Sequence, residues 1–206
     1  MSESYLIPSA SLMVEEEIKH SRFISFLFHC SSEKELKCAL TNIKSEYPGA
    51  NHYCYAFVAG DPSNTVAMGS SDDGEPAGSA GRPMLAMLQG ANIGELGAIV
   101  VRYFGGTKLG VGGLVRAYSS GIKQGLTQLE TETKLLRYPA KLMCDYHQLK
   151  DVEHFLTRCE AIVVDKEFTD KVLLHFIIPK NQQLQLSQEL ATMSQGSLKP
   201  QFETKF

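Results

Sequence analysis

Three basic side chains surround a glycine-rich segment in the middle of the chain. Arg102, Lys108 and Arg116 occur in a run without acidic residues, from Val100 to Tyr118. The glycines of this segment are Gly105, Gly106, Gly110, Gly112 and Gly113. A strand that leads through such a loop into a helix exposes backbone N–H groups and the positive end of the helix dipole, and both attract anions. The segment therefore predicts a site for a phosphate group, from a nucleotide or from a nucleic-acid backbone.

The glycines also have a purely structural interpretation. The order of Gly106-Thr107-Lys108 matches neither the G-x-x-x-x-G-K-[ST] loop nor the G-x-G-x-x-G loop of nucleotide-binding proteins. Glycine is equally suited to a tight loop and to close packing of the following helix, in which Gly121 and Gly125 occur. Both interpretations stay open at the level of the sequence.

A second polar loop precedes this segment. Its charged residues are Asp72, Asp73, Glu75 and Arg82. Carboxylates are the ligands that Mg²⁺ and Ca²⁺ prefer, but the loop does not match an EF-hand. Aspartate is also common in turns, and Ser79 is a suitable N-cap for the next helix. We favour a turn over a metal site and keep these four residues as a second candidate binding site. We assign no metal and no cofactor.

His52 and Cys54 are two residues apart on a predicted strand, so they share a face. A Cys–His nucleophile needs a hydrogen bond between the two side chains and a third group that orients the histidine, and the sequence indicates neither. No Ser–His–Asp pattern of known local form occurs. We therefore name no catalytic residue.

Composition excludes several classes of protein. The 206 residues are 43% hydrophobic and carry a net charge of −3, which is usual for soluble proteins and unlike proteins that bind nucleic acid through bulk positive charge. No apolar run is long enough to span a membrane, and the N-terminus does not resemble a secretory signal. The five cysteines form no C-x-x-C pair, so neither a disulfide framework nor a zinc site is indicated. We expect a cytoplasmic protein that does not bind membranes.

Apolar periodicity indicates the elements that position these loops. In the first part of the chain it predicts strands at 12–18, 22–28, 52–58 and 96–104, and helices at 33–47, 83–89 and 114–129. Ser32 is the expected N-cap of the first helix. A turn is predicted at Asp61, Pro62, Ser63 and Asn64.

The remainder of the chain reads strand, helix, strand, strand, helix, strand. The predicted strands are 140–145, 161–168, 172–178 and 197–204, and the predicted helices are 148–159 and 181–195, the latter ended by Gly196. This order is typical of the ferredoxin-like βαββαβ arrangement. The sequence thus predicts an α+β protein with two domains, 1–133 and 134–206.

The longest motifs resemble the YigZ/IMPACT family. They are Ser71–Gly78, Gly81–Leu85, Val101–Gly106 and Leu109–Tyr118, with Glu16–Ile24 and Cys144–Leu149 similar to its bacterial members. The resemblance covers essentially the whole chain. It implies that the N-terminal domain is similar to the second domain of a small-subunit ribosomal protein and to domain IV of elongation factor G. It also implies that the ferredoxin-like domain is similar to domain V of that factor.

Eukaryotic members restrain a kinase of the amino-acid-starvation response by binding its activator through an extra N-terminal recognition domain, which we do not expect in this chain. The resemblance implies association with nucleic acid or the ribosome, on the basis of fold similarity. We expect a non-catalytic protein that binds RNA or the ribosome and is linked to regulation of translation, with translation-associated proteins as further partners. Stacking on a base by whichever of Tyr103, Phe104 and Tyr118 is exposed would support RNA binding. The alternatives are a protein–protein adaptor, and an enzyme that holds a phosphorylated small molecule at the glycine loop and Mg²⁺ at the acidic loop.

Overall fold

The chain consists of two compact units. A computed structural model describes residues 4–63 and 67–203. One unit runs from Tyr5 to Lys134, and the other contains the residues from Leu135 onward. Each contains a sheet and helices, which confirms the predicted α+β class. No helix in the described part of the chain is long and apolar enough to cross a membrane.

The first unit is built on a five-stranded antiparallel sheet. The strands in this part of the chain, inside and outside that sheet, are β1 (Ser4–Pro8), β2 (Leu12–Ile18), β3 (Ser21–His29), β4 (His52–Val58), β5 (Met68–Ser71), β6 (Leu96–Tyr103) and β7 (Thr131–Leu135). Its helices are α1 (Glu33–Glu46), α2 (Gly81–Gly90) and α3 (Val111–Gln128). The sheet order is β2-β3-β6-β4-β5, and β1 pairs separately with β7. Apolar side chains of α2 and α3 pack on one face of the sheet, and those of α1 pack on the other.

Local chemistry explains the hairpin and the first helix. Lys19 and His20 both adopt positive φ angles, 48° and 65°, which a two-residue turn between twisted strands requires. Ser32 caps α1 as predicted, because its Oγ accepts the N–H of Glu35 at 3.3 Å. The strand predicted at 96–104 is the central β6, which is buried along nearly its whole length. Its C-terminal end places Arg102 and Tyr103 at the start of the glycine loop.

Helix α3 packs unusually close to β3. A Cβ atom at Gly121 would lie 2.2 Å from Ser25 Oγ, and one at Gly125 would lie 2.6 Å from Leu27 Cδ1. The close packing expected from these glycines is thereby confirmed. The helix begins at Val111, three residues before its predicted start. Its first turn contains Gly112 and Gly113, and the low helix propensity of glycine is the reason why the sequence predicts a loop there.

The second unit has the ferredoxin-like order. Its elements are β8 (Arg137–Cys144), α4 (Leu149–Arg158), β9 (Ile162–Phe168), β10 (Val172–Pro179), α5 (Gln183–Ser194) and β11 (Gln201–Phe202). The strands are arranged β11-β8-β10-β9, with the apolar residues of α4 and α5 in the core beneath the sheet. Gly196, with φ 83°, ends α5 as predicted by donating its N–H to Ala191 O at 2.8 Å.

Several strands differ from the prediction. The short strands β1, β5 and β7 lack a strand-like pattern, since β5 reads Met-Gly-Ser-Ser and β7 is mostly charged or polar. The last strand is two residues long rather than 197–204, because Pro200 has no N–H for a ladder. The predicted turn residue Asn64 lies outside the described residues, as does Thr204.

Candidate functional site

One carboxylate organises the acidic loop. Asp72 Oδ1 accepts the N–H groups of Ala80 and Gly81 at 3.0 and 2.8 Å, and Oδ2 accepts that of Gly78 at 2.8 Å. Burial raises the pKa of the Asp72 carboxyl, but these hydrogen bonds outweigh burial and bring the pKa below its ordinary value. Asp72 therefore caps α2 from outside the helix. The predicted cap by Ser79 is wrong, because its Oγ is buried and bonds nothing in the described part of the chain.

The neighbouring side chains fix the same loop. Tyr53 donates its backbone N–H to Asp73 Oδ2 at 2.7 Å, and His52 Nδ1 lies 2.8 Å from the carbonyl oxygen of Asp73. Cys54 donates its Sγ–H to the carbonyl of Asp72 at 3.0 Å, and burial raises its pKa to about 12. His52 and Cys54 thus bond the backbone of the loop and not each other, so they form no nucleophilic pair.

Glu75 joins the acidic loop to β6 and α3. Its side chain is 3% exposed, and Oε1 accepts hydrogen bonds from Arg102 Nη1 at 2.5 Å and from the Tyr118 hydroxyl at 2.8 Å. His52 Nε2 lies 3.9 Å from Oε2. Burial raises the pKa of the Tyr118 hydroxyl, which stays protonated and donates to the carboxylate. A buried ion pair therefore links the two polar loops that the sequence singles out.

Arg102 is buried, unlike Lys108 and Arg116, the other two cations of the predicted phosphate site. Its side chain is 6% exposed, and Nη2 lies 3.5 Å from Ser21 Oγ, which also accepts the Gly105 N–H at 3.2 Å. A Cβ atom at Gly105 would lie 1.9 Å from the backbone of His20, so only glycine permits this approach. Arg102 thus holds the start of the glycine loop against the β2–β3 hairpin. The exposed cations of this segment are therefore Lys108 and Arg116, and a phosphate contact by Arg102 stays a prediction.

The N-terminus of α3 is open. Its N-cap, Gly110, has φ 73° and ψ 164°, a backbone conformation essentially limited to glycine, and no side chain of the described residues caps the helix. Lys108 and Arg116 are exposed, and neither forms an ion pair with a described residue. Arg116 Nε donates to the carbonyl of Gly112 at 3.2 Å, which holds the guanidinium beside the first turn. This end of α3 combines exposed cations with the positive end of a helix dipole, an arrangement that can hold an anion.

The residues predicted as sites divide into three groups. Those at or beside the open end of α3 are Lys108, Gly110, Gly112, Gly113 and Arg116. Those bonded within the protein are Asp72, Asp73, Glu75, Arg102 and Gly105. Gly106 is exposed in the loop, and Arg82 is exposed in the first turn of α2. No group of three His, Cys, Asp or Glu side chains in residues 4–63 and 67–203 could hold a metal ion.

The three candidate stacking residues differ in exposure. Tyr118 is fully buried, so it does not meet the condition of exposure under which it was a candidate. Tyr103 is half-buried and donates its hydroxyl to Pro48 O at 3.2 Å. Phe104 is 45% exposed beside the glycine loop, with the Arg102 guanidinium 5.5 Å from its ring. Phe104 is therefore the ring that a ligand at this loop can reach.

Important partners in this unit have no local sequence signal. Ser21 and the Tyr118 hydroxyl are bonded to residues 81 and 43 positions away. A second buried carboxylate, Glu95, accepts from Tyr5 at 2.9 Å and Lys134 at 2.5 Å and lies 2.7 Å from His29 Nε2. The one available hint is that a tyrosine on the apolar face of a helix needs a partner for its hydroxyl.

Known proteins match both units of the chain. Residues 19–126 match the Impact N-terminal domain, and residues 142–197 match a domain of unknown function, DUF1949. The chain is 45% identical to "IMPACT family member YigZ" of Escherichia coli, over 95% of this chain and 96% of that protein. It is 44% identical to an "IMPACT family member" of Haemophilus influenzae, over 94% of each.

A solved structure has the same fold. It is described as "Crystal structure of an hypothetical protein", and it matches with a TM-score of 0.84 and 42% identity over 100% of both chains. The two-domain α+β architecture is therefore shared with a protein of similar sequence.

Proposed function

The chain belongs to the IMPACT family, and we propose that it is a non-catalytic protein that binds RNA, in a role linked to translation. The observation that carries this proposal is the open N-terminus of α3 with Lys108 and Arg116 beside it. The phosphate of an RNA backbone is the ligand that such a site suits.

The electrostatics favour a local contact with few phosphates. A helix N-terminus carries roughly half a positive charge, to which two exposed cations add. The net charge of −3 opposes binding elsewhere on the surface. Affinity should therefore be modest and should fall with salt, with a slope set by the few phosphates that are contacted. The exposed Phe104 ring adds a surface for one unpaired base.

Buried hydrogen bonds beneath the glycine loop favour a preformed site. Arg102 is held by Glu75, and Ser21 Oγ holds the N–H of Gly105. Because the loop is fixed before the ligand arrives, little ordering entropy opposes binding. The likeness of the family's domains to domains IV and V of elongation factor G favours ribosomal RNA as the ligand.

The test is a titration of a structured ribosomal RNA fragment at two salt concentrations. We expect Lys108→Ala with Arg116→Ala to weaken binding about tenfold at low salt and to flatten the salt dependence. The matched control is Lys34→Ala with Lys123→Ala, which removes two exposed lysines elsewhere, one of them on α3 itself.

Two outcomes contradict the proposal. An unchanged affinity of the Lys108→Ala/Arg116→Ala variant excludes this site, and an equal loss in both double variants reduces the effect to net charge. Crosslinking in cells, followed by recovery of RNA and protein, tests the role in translation. Recovery of ribosomal proteins without RNA would favour the adaptor.

A further inference from the structure

The tip of the β2–β3 hairpin touches the start of the glycine loop. This tip is the two-residue turn formed by Lys19 and His20. A Cβ atom at Gly105 would lie 1.9 Å from the backbone of His20 and 2.5 Å from the backbone nitrogen of Ser21. The N–H of Gly105 also donates to Ser21 Oγ at 3.2 Å, a bond between residues 84 positions apart. The hairpin tip and the glycine loop are therefore in direct backbone contact.

The residues of the tip are not the ones that its backbone favours. The φ angles of Lys19 and His20 are both positive, as in a type I′ turn, for which asparagine followed by glycine is the preferred pair. Lysine adopts this left-handed conformation only at a cost in free energy, because its Cβ crowds the following carbonyl. Lys19 is exposed and forms no ion pair with any described residue, so contacts within the fold do not account for its presence. Strain of this kind is concentrated at functional sites.

Two of the acidic side chains of β2 face away from α3. Alternation along the strand places Glu15 and Glu17 on the same face of the sheet as Met13. Met13 Sδ accepts a hydrogen bond from the hydroxyl of Tyr47, at the end of α1, at 3.6 Å, so this is the face that α1 covers. Glu15 is bonded to Arg22 at 2.6 Å. Neither carboxylate therefore lies on the face where α3 packs.

The third acidic side chain of β2 is held far along α3. Glu16 Oε1 accepts a hydrogen bond from the hydroxyl of Ser120 at 2.9 Å. Ser120 is nine residues beyond the start of α3, which is about 14 Å along the helix axis. Lys19, Lys108 and Arg116, in contrast, are all exposed, and none forms an ion pair with a described residue. The hairpin tip, the glycine loop and the first turns of α3 thus each contribute one cation without a partner.

We propose that Lys19, at the hairpin tip, is a further phosphate contact of the RNA site, so that an RNA strand crosses the glycine loop from the end of α3 to this tip. The proposal deepens the function inferred above and rests on it. Five residues lead from Gly105, which touches the tip, to Gly110, the N-cap of α3, and they span at most about 18 Å. At a rise of about 3.4 Å per nucleotide of one strand, this distance corresponds to about five nucleotides.

The first test measures the salt dependence of binding to the ribosomal RNA fragment. We expect Lys19→Ala to weaken binding about threefold at low salt and to lower the slope of log affinity against log salt by about one, because one phosphate contact is lost. The matched control is Lys34→Ala, at an exposed position on α1, and its slope should equal that of the wild type. An unchanged slope in Lys19→Ala, or an equal change in the control, overturns the contact at the tip and leaves the α3 site standing. Failure of the wild type to bind RNA overturns both proposals.

The second test gives the turn the sequence that its backbone favours. Lys19→Asn with His20→Gly keeps the backbone contact with Gly105 and removes the strain. We expect the melting temperature to rise by about 2–4 °C, while RNA affinity falls as it does in Lys19→Ala. A structural role of these residues would move both quantities in the same direction. A double variant that is no more stable than the wild type, or that binds RNA as well, overturns the inference that Lys19 serves binding.

Discussion

The acidic loop and the glycine loop each lead into the N-terminus of a helix, but only the acidic loop supplies a carboxylate that caps its helix. At α2, the carboxylate of Asp72 accepts three backbone N–H groups and fills the space where an anion would lie. At α3, no side chain in the part of the chain that the structure describes caps the helix, and Lys108 and Arg116 lie beside it. The first helix end is used for folding and the second is left available to a ligand.

The same contrast separates the arginines. Arg102 is buried against Glu75 and stabilises the junction of the two loops, whereas Arg116 is exposed and bonds only backbone within the described residues. Charged residues of the same type in one motif therefore have different tasks. What decides between folding and binding is whether the protein supplies its own counter-charge.

The largest expected effect follows removal of that counter-charge. Glu75→Ala leaves the Arg102 guanidinium buried without a carboxylate, which should lower the free energy of unfolding by about 3–5 kcal/mol. Urea denaturation followed by circular dichroism measures it. Glu46→Ala, at an exposed position in the last turn of α1, is the control and should change stability by less than about 0.5 kcal/mol. If Glu75→Ala loses no more stability than the Glu46→Ala control, the ion pair does not stabilise the fold.

Removal of the cap on α2 should cost less. Asp72→Ala leaves three N–H groups without an acceptor, and we expect a loss of about 2 kcal/mol in the free energy of unfolding. The same denaturation series measures it. RNA affinity should not change, because Asp72 caps α2 and the proposed site lies at the N-terminus of α3. A parallel loss of RNA binding in a folded variant would show that the two loops do not have separate tasks.

The pH dependence of stability tests the same cap more gently. The pKa of Asp72 is lower in the folded chain than its ordinary value of about 3.9, so its contribution is complete above that pH and is lost as the pH falls through the folded pKa. The wild type should therefore lose more stability than Asp72→Asn between about pH 5 and pH 2. Parallel curves for the two proteins would assign acid unfolding to other carboxyls, such as Glu95, whose hydrogen bonds outweigh burial and also lower its pKa.

The smallest effect is expected at the open helix end. Gly112 lies in the first turn of α3, and a Cβ atom there would meet only the Arg116 guanidinium, 4.0 Å away. Gly112→Ala should raise the free energy of unfolding by about 0.5–1 kcal/mol, because alanine favours the helix. Thermal denaturation checks the sign. A destabilised variant would mean that the first turn tolerates no side chain.

The sequence predicts the regular parts of this molecule and not its long-range pairs. The ferredoxin-like order follows from apolar patterns, since the two helices and the first three strands of that unit have a recognisable period, while the last strand is shorter than predicted. The bond of Glu75 to Arg102 joins residues 27 positions apart, and no local pattern distinguishes Arg102 from the exposed Arg116. Likewise, Asp72 in a glycine-rich loop suggests a turn. It caps α2 only because the loop folds back on itself, and the sequence does not show this. The contact of the hairpin tip with Gly105 becomes visible only once β3 and β6 pair.

The most direct test of an available helix end compares Gly112→Glu with Gly112→Ala. Both add a side chain where there is room, but only glutamate places a carboxylate at the positive end of α3 and beside Arg116. We predict that both variants are at least as stable as the wild type, and that Gly112→Glu alone loses most of its affinity for the ribosomal RNA fragment. Equal RNA binding by the two variants would contradict the account, because the end of α3 would then not be where the anion lies.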